Sequence, residues 1–208
     1  RRIKGAAGSG KSLVLAARAA ELVSEGKRVL VVTFNITLIH YLMDIAVRWP
    51  NKTGNTRRQV VWLNFHAWCR RICEEADCEE EYKTLWSNEE DLQKVLSELL
   101  PGLVERILTT DPEIEKFDAV LVDEGQDFMP SWWSVLRKIC KPDGEMLLVA
   151  DATQDIYETA SSWTDEAMKG AGFAGSWAEL PVSYRLPQEV LKIASSFAET
   201  YLPGKDTA

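Results

Sequence analysis

The stretch Gly5-Ala6-Ala7-Gly8-Ser9-Gly10-Lys11-Ser12 decides how the beginning of this 208-residue chain is expected to fold. Residues 1–4 ahead of it are typical of the end of a strand, so the sequence starts abruptly and is expected to be a piece of a longer protein. Apolar residues recur at helical spacing from 13 to 23, and Gly26 stands where a helix cap is expected. The β-branched run at 28–34 predicts a second strand. The unit is therefore strand, loop, helix and strand, with a parallel sheet and a right-handed crossover.

The spacing of the glycine-rich stretch indicates phosphate chemistry. It fits G-x-x-x-x-G-K-[ST], in which glycines let backbone N–H groups surround phosphate oxygens at the N-terminus of the following helix. Lys11 is expected to bridge the β and γ phosphates of ATP, and Ser12 is expected to bind Mg²⁺. An ordinary glycine-rich turn would explain neither side chain. The candidate nucleotide-binding residues are Gly5, Ala6, Ala7, Gly8, Ser9, Gly10, Lys11 and Ser12.

Three further apolar runs, at 60–63, 119–122 and 146–149, predict buried strands that are each followed by polar residues. Ligands bind at the carboxyl ends of strands in open parallel sheets. Because Asp123 and Glu124 follow the second run, we expect Asp123 to hold Mg²⁺ and Glu124 to act as general base toward water. The predicted fold is an α/β parallel sheet flanked by helices. Residues 1–65 and 117–208 are expected to form the main domain, and residues 66–116 a small helical insertion.

The composition limits the possible partners and compartments. A net charge of −8 argues against a domain that grips nucleic acid unaided, because phosphate binding relies on Lys and Arg, but it leaves room for a local basic groove. No stretch approaches the roughly 18 apolar residues of a membrane span, and no signal segment is present at the start. The four cysteines occur among nucleotide-binding motifs, which favours a reducing compartment. We therefore expect a cytoplasmic protein with no membrane partner.

A family resemblance rests on several motifs in a fixed order. Residues 123–127, Asp-Glu-Gly-Gln-Asp, resemble the DExQD box of the UvrD/Rep type of superfamily 1 helicases. Ser183 stands where Asn is usual, and residues 158–163 replace the family's aromatic-Arg-Gly-Ala continuation, with Trp163 as a candidate substitute for its aromatic residue. The segments that resemble motifs Ia, Ib, III and IV are Val32-Thr33-Phe34-Asn35, Asn64-Phe65-His66, Ala150-Asp151-Ala152-Thr153-Gln154-Asp155-Ile156-Tyr157 and Ser183-Tyr184-Arg185.

This resemblance implies a RecA-like P-loop motor domain of an ATP-dependent helicase or translocase. By the resemblance, Gln154 senses the γ-phosphate, Arg185 stabilises charge on it, and Tyr184 stacks on the adenine. The family's second RecA-like domain is absent, so the remaining helicase domains are expected in the full-length chain, and this piece is expected to turn ATP over slowly without unwinding duplexes. The resemblance also favours single-stranded DNA over RNA as the partner, near Phe34, Asn35, His66 and Tyr157.

Other interpretations of the sequence stay open. The domain is alternatively an ATP-dependent regulatory switch that acts on a protein partner and does not move along a strand. A small-molecule kinase would explain the phosphate loop and Asp123 but not the other motifs. His66 with Cys69, Cys73 and Cys78 is a candidate metal cluster of unusual spacing, with burial in the core as its alternative. The tryptophans in helical patterns, Trp86, Trp132 and Trp133, are expected to be core or interface residues.

Overall fold

Parallel strands and helices alternate along the chain, and the computed structural model describes residues 1–50, 53–88, 91–151, 173, 176–185 and 187–201. The strands form one sheet in the order β3-β2-β4-β5-β1-β6, and every pairing between neighbours is parallel. The strands are β1 (Arg2–Gly5), β2 (Val29–Thr33), β3 (Val60–Asn64), β4 (Phe117–Asp123), β5 (Cys140–Ala150) and β6 (Trp177–Leu180). The α/β parallel sheet predicted from the sequence is confirmed, while the short β6 was not predicted.

Helices cover both faces of the sheet. A π-helical turn at Val95–Leu99 joins α6 to α7, and a 3₁₀ turn at Gly125–Asp127 follows β4. The helices are α1 (Lys11–Ser24), α2 (Ile36–Val47), α3 (Thr56–Gln59), α4 (Phe65–Glu75), α5 (Glu79–Asn88), α6 (Leu92–Lys94), α7 (Leu100–Thr110), α8 (Pro130–Ile139) and α9 (Gln188–Tyr201). None of the helices in the described ranges is both long and apolar enough to cross a membrane.

The central strands bury side chains on both faces because each successive residue points to the opposite side. In β2, Val29 and Val31 pack with α1 and α2, while Leu30 and Val32 pack on the opposite side with α4, α7 and α8. The second side is also where the buried Trp68, Trp132 and Trp133 lie. A strand whose residues are all apolar therefore indicates a sheet that helices cover on both faces.

Helix α1 ends where the sequence predicts. Gly26 has a φ of 76°, its N–H donates to Val23 O, and the N–H of Lys27 donates to Leu22 O. This pair of bonds is a Schellman cap, which needs a left-handed residue at the position of Gly26. The cap turns the chain directly into β2.

The segment predicted to be helical, residues 66–116, contains most of α4 and all of α5, α6 and α7. Asn64 starts α4, because its side chain accepts a hydrogen bond from the N–H of Ala67 at 2.9 Å. Buried residues of α4 and α7 belong to the same core cluster as β2, β4 and β5. Their role as a separate insertion stays a prediction.

Candidate nucleotide-binding site

The carboxyl ends of three neighbouring strands bring the candidate nucleotide-binding residues together. The loop at 6–10 follows β1, Asp123 ends β4, and Asp151 follows β5, which lies between those two strands. Residues that are more than a hundred positions apart in sequence therefore meet at one edge of the sheet. This is the edge at which open parallel sheets bind ligands.

Ser12 and Asp123, the two predicted Mg²⁺ ligands, are in direct contact. The Ser12 hydroxyl donates to Asp123 Oδ2 at 2.9 Å, and the Asp123 side chain is buried. Burial, reinforced by the neighbouring Glu124 carboxylate, raises the pKa of Asp123 to about 7, although the hydrogen bond from Ser12 opposes this rise. Two oxygen ligands from two elements suit a hard divalent cation.

Lys11 is held at the centre of the loop. Its ammonium donates to Gly5 O at 2.6 Å and to Ala6 O at 3.0 Å, and it lies 3.4 Å from Asp151 Oδ2. The Lys11 and Asp151 side chains are 8% and 1% exposed. Sequence reasoning assigned no role to Asp151, although its place after a buried strand was a usable signal.

The segment at 183–185 docks on the glycine loop. The N–H of Tyr184 donates to Gly8 O at 3.0 Å, and the Ser183 hydroxyl donates to Ala7 O at 2.8 Å. A Cβ on Gly8 would lie 2.3 Å from Arg185 Cβ, so only glycine permits this approach. The contact brings both predicted nucleotide-site residues of the segment, Tyr184 and Arg185, to the phosphate loop.

A cavity of about 240 Å³ opens between these elements. Tyr41 of α2 is part of its wall, and nothing in its exposed, helical sequence context indicated this position. The cavity also meets the glycine loop and the catalytic candidates Lys11, Glu124 and Arg185. We call it the phosphate pocket.

Glu124 has a fixed position beside the phosphate pocket. Its φ is 52°, in the left-handed region that non-glycine residues rarely occupy. Gln126 Nε2 donates to its carboxylate at 2.5 Å, and Gln126 Oε1 accepts the N–H of Asp151 at 3.1 Å. Backbone strain at a pocket is typical of functional residues.

The phosphate pocket fits an anion together with a cation. Helix α1 begins at Lys11 with Gly10 as its N-cap, no side chain caps it, and its first turn contains no acidic residue. Its terminal N–H groups therefore remain suited to phosphate oxygens. The buried Ser9 hydroxyl also has no hydrogen-bond partner within the described part of the chain. Nucleotide phosphates with Mg²⁺ suit this donor set.

Three of the four residues expected near a nucleic-acid strand lie at the carboxyl ends of β2 and β3. Phe34 is half-buried and stacks on Trp132 with ring centroids 6.2 Å apart. Asn35 is exposed and caps α2 by accepting the N–H of Thr37 at 2.9 Å. His66 meets the Trp132 ring edge-on at 5.0 Å, and burial lowers the pKa of this histidine. Gln154, Tyr157 and Trp163 lie outside the described residues.

The cysteines are free thiols, of which Cys69, Cys73 and Cys140 are buried and Cys78 is half-buried. Burial raises the pKa of Cys73 to about 11, which keeps this thiol protonated. Across the described ranges, no group of three or more His, Cys, Asp or Glu side chains is placed to hold a metal ion.

The parallel sheet, the glycine loop ahead of α1 and the Ser12–Asp123 contact define a P-loop ATPase of the α/β class. The chain belongs to the AAA domain family, whose sequence model matches residues 2–160. No curated protein matches the sequence.

One solved structure similar to this chain is that of Drosophila ORC bound to DNA. The likeness has a TM-score of 0.33 and 13% sequence identity, and it covers 88% of this chain and 95% of that chain. So weak a likeness says nothing about what this chain binds.

Proposed function

We propose that this chain is the ATP-binding and hydrolysing motor domain of an ATP-dependent DNA helicase or translocase of the UvrD/Rep type. The observation that carries the nucleotide half of the proposal is the 2.9 Å contact between Ser12 and Asp123 beside the buried Lys11 ammonium. A P-loop site needs these three side chains together. The helicase half rests on the ordered motifs of the sequence.

Lys11 binds the β and γ phosphates in this proposal, and Ser12 and Asp123 hold Mg²⁺. Mg²⁺ neutralises charge on the phosphates when it is bound. Glu124 accepts a proton from the attacking water, for which its hydrogen bond from Gln126 orients the carboxylate. In the proposal Arg185 stabilises charge on the γ-phosphate, Gln154 senses that phosphate, and Tyr184 stacks on the adenine.

A single strand of DNA is the proposed partner, and Phe34, Asn35, His66 and Tyr157 are its proposed contacts. The first three share the carboxyl edge of the sheet with the phosphate pocket, so strand and nucleotide would bind at one edge. The remaining helicase domains would contribute the rest of the track. We further propose a cytoplasmic location, where the free thiols would stay reduced.

The first test measures binding of a non-hydrolysable Mg·ATP analogue with and without oligo-dT, in the wild type and in Lys11→Ala. Removing one partner of a buried charge pair costs about 2–5 kcal/mol, so nucleotide affinity should fall by roughly 100-fold. Lys83→Ala is the control, because Lys83 is exposed and pairs only with Glu80 in the described residues. Its nucleotide affinity should match the wild type.

Nucleotide binding that survives Lys11→Ala would contradict the proposed site. Lys11-dependent binding with no response to oligo-dT, even in a chain that includes the further domains, would instead support the regulatory switch. A motor domain should bind oligo-dT with an affinity that changes when the nucleotide is added.

A further inference from the structure

A groove runs along the outer side of β3, which is an edge strand of the described sheet. Its cavity measures about 720 Å³, and Val60, Val61, Trp62 and Leu63 form its floor. Helix α2 contributes Ile39, His40 and Met43 to one wall. We call this cavity the edge groove. Its basic side chains are Lys27, Arg28, His40, Arg57, Arg58 and Arg71.

The charge of the edge groove is opposite to that of the whole chain. No Asp or Glu occurs among the described residues that line it, although the chain has a net charge of −8. Arg28 pairs with Glu115, and Arg71 pairs with Glu75 at 2.7 Å. Lys27, Arg57 and Arg58 are exposed and form no ion pair with any described residue. The charges of Lys27, Arg57 and Arg58 are therefore not cancelled by an ion pair within the described chain, although the pKa of the nearby Asp118 is lowered, mainly by its hydrogen bond from Lys141 and in part by the charge of Lys27. An excess of positive charge in a groove favours an anionic ligand.

Trp62 gives the edge groove a flat, oriented aromatic surface. Its indole N–H donates to Thr56 O at 3.1 Å, and the half-buried ring contributes to the groove while packing partly on the core. Arginine matches phosphate geometry, and an aromatic face stacks bases with little sequence preference. An acidic peptide would pair with the cations, but it would offer no base to stack on the indole.

We propose that the edge groove binds the phosphate backbone of a single nucleic-acid strand. Lys27, Arg57 and Arg58 contact phosphates, and Trp62 stacks against a base. This inference rests on the proposed function in one respect: it takes a nucleic-acid strand, and not another polyanion, as the ligand. The site differs from the track proposed at Phe34, Asn35 and His66, because the three cations proposed to contact phosphates precede the amino ends of β2 and β3.

The test uses the full chain and a fluorescein-labelled oligo-dT, with binding followed by anisotropy at several salt concentrations. The groove variant is Lys27→Gln/Arg57→Gln/Arg58→Gln. Each phosphate contact contributes about 0.7 to the slope of log affinity against log salt, so the three changes should reduce this slope by about 2. Affinity at low salt should fall by roughly 10-fold or more.

The matched control is Lys83→Gln/Arg106→Gln/Lys138→Gln, which removes the same number of positive charges elsewhere. Lys83 and Arg106 are exposed and Lys138 is half-buried, and the three pair with Glu80, Glu81 and Glu105. The control should keep the wild-type slope. Equal losses in both triple variants, or no loss in the groove variant, would overturn the proposal. Poly-glutamate that displaces oligo-dT at equal charge concentration would also overturn it in favour of an acidic protein partner.

Two further measurements separate the possible failures. The single variant Arg57→Gln alters one exposed side chain and should reduce the slope by about 0.7, so it tests the groove even if the triple glutamine variant does not fold. Binding of the Mg·ATP analogue should be unchanged in both groove variants, because the groove contributes no side chain to the phosphate pocket. If the wild type bound nucleotide in a Lys11-dependent way but did not bind oligo-dT, the proposal for the edge groove would be contradicted and the proposed ATP site would stand.

Discussion

The phosphate pocket and the edge groove hold their charges in different ways. In the pocket, Lys11 contacts Asp151 and two loop carbonyls, Ser12 contacts Asp123, and Gln126 contacts Glu124. In the groove, Lys27, Arg57 and Arg58 are exposed and form no ion pair within the described chain, and the nearby Asp118 interacts with Lys27. A ligand in the pocket must fit a preset arrangement. A ligand in the groove gains mainly from charge neutralisation, which salt weakens.

Helix α2 is the element that the two sites share. Tyr41 faces the phosphate pocket, and its neighbour His40 faces the edge groove. Asn35 caps the helix immediately after β2. A movement of this helix on nucleotide binding would therefore change both cavities, and mutations on α2 can show whether the sites are independent.

Gly8→Ala is expected to have the largest effect on stability and nucleotide binding, because the phosphate pocket, unlike the edge groove, depends on a close fit of its backbone. Gly8 has a φ of 79°, and an added Cβ would meet Arg185 Cβ at 2.3 Å. The left-handed conformation alone costs about 1–2 kcal/mol, and the clash should add to this by displacing the 183–185 segment. We expect a thermal midpoint several degrees below that of the wild type and weaker binding of the Mg·ATP analogue.

Gly26→Ala is the control for that substitution. Gly26 has a nearly equal φ of 76°, but a Cβ there would meet nothing within 4 Å. The Gly26→Ala variant should lose only the cost of the left-handed conformation, about 1 kcal/mol of unfolding free energy, and should bind nucleotide as the wild type does. Equal destabilisation by the two alanines would mean that the segment at 183–185 does not press on the loop.

The parts of the fold set by local pattern were predictable from the sequence. Burial on both faces of the sheet required the apolar runs of β2, β4 and the end of β5, and the glycine loop indicated both its own strand and α1. β6 was missed because its four residues, Trp-Ala-Glu-Leu, are partly exposed and show no apolar run. Its place beside β1 is set by long-range pairing, which leaves no local signal.

The candidate site divides in the same way. Lys11, Ser12 and Asp123 were predicted because their spacing and strand context identify their chemistry. Tyr41 was not, since it enters the site only through packing between distant elements, and Asp151 was not, although it directly follows a buried strand. The edge groove was also missed. Its cations are scattered over residues 27–71, and the net charge of −8, which left room for a local basic groove, could not say where one would lie.

A smaller effect is expected from Asn35, at the start of the shared helix. Asn35→Ala removes the cap of α2 and should cost about 1 kcal/mol, measured by chemical denaturation. Asn35→Asp keeps an acceptor for the N–H of Thr37, so it should restore most of the stability. Its negative charge should nevertheless weaken oligo-dT binding if Asn35 contacts the strand. Recovery of both stability and strand binding in Asn35→Asp would show that this residue only caps the helix.

The smallest effect concerns His66, which lies just beyond β3, at the proposed track. Burial holds the pKa of His66 below its ordinary value of 6.5, so the folded state favours the neutral imidazole. The unfolded chain protonates first as the pH falls, and stability is therefore lost from about pH 6.5 down through the lower folded pKa. Above pH 6.5 this residue adds no pH dependence.

Denaturation at pH 7.5 and pH 5.5 should thus show a larger loss of unfolding free energy for the wild type than for His66→Gln. The difference should stay small, because a shift of one pKa unit corresponds to only about 1.4 kcal/mol. Equal losses in the two proteins would mean that Trp132 does not exclude water from the imidazole. A gain in oligo-dT affinity at pH 5.5 that disappears in His66→Gln would show that the protonated ring reaches a phosphate. Binding driven by charge, as proposed for the edge groove, would then also occur at the carboxyl end of β3.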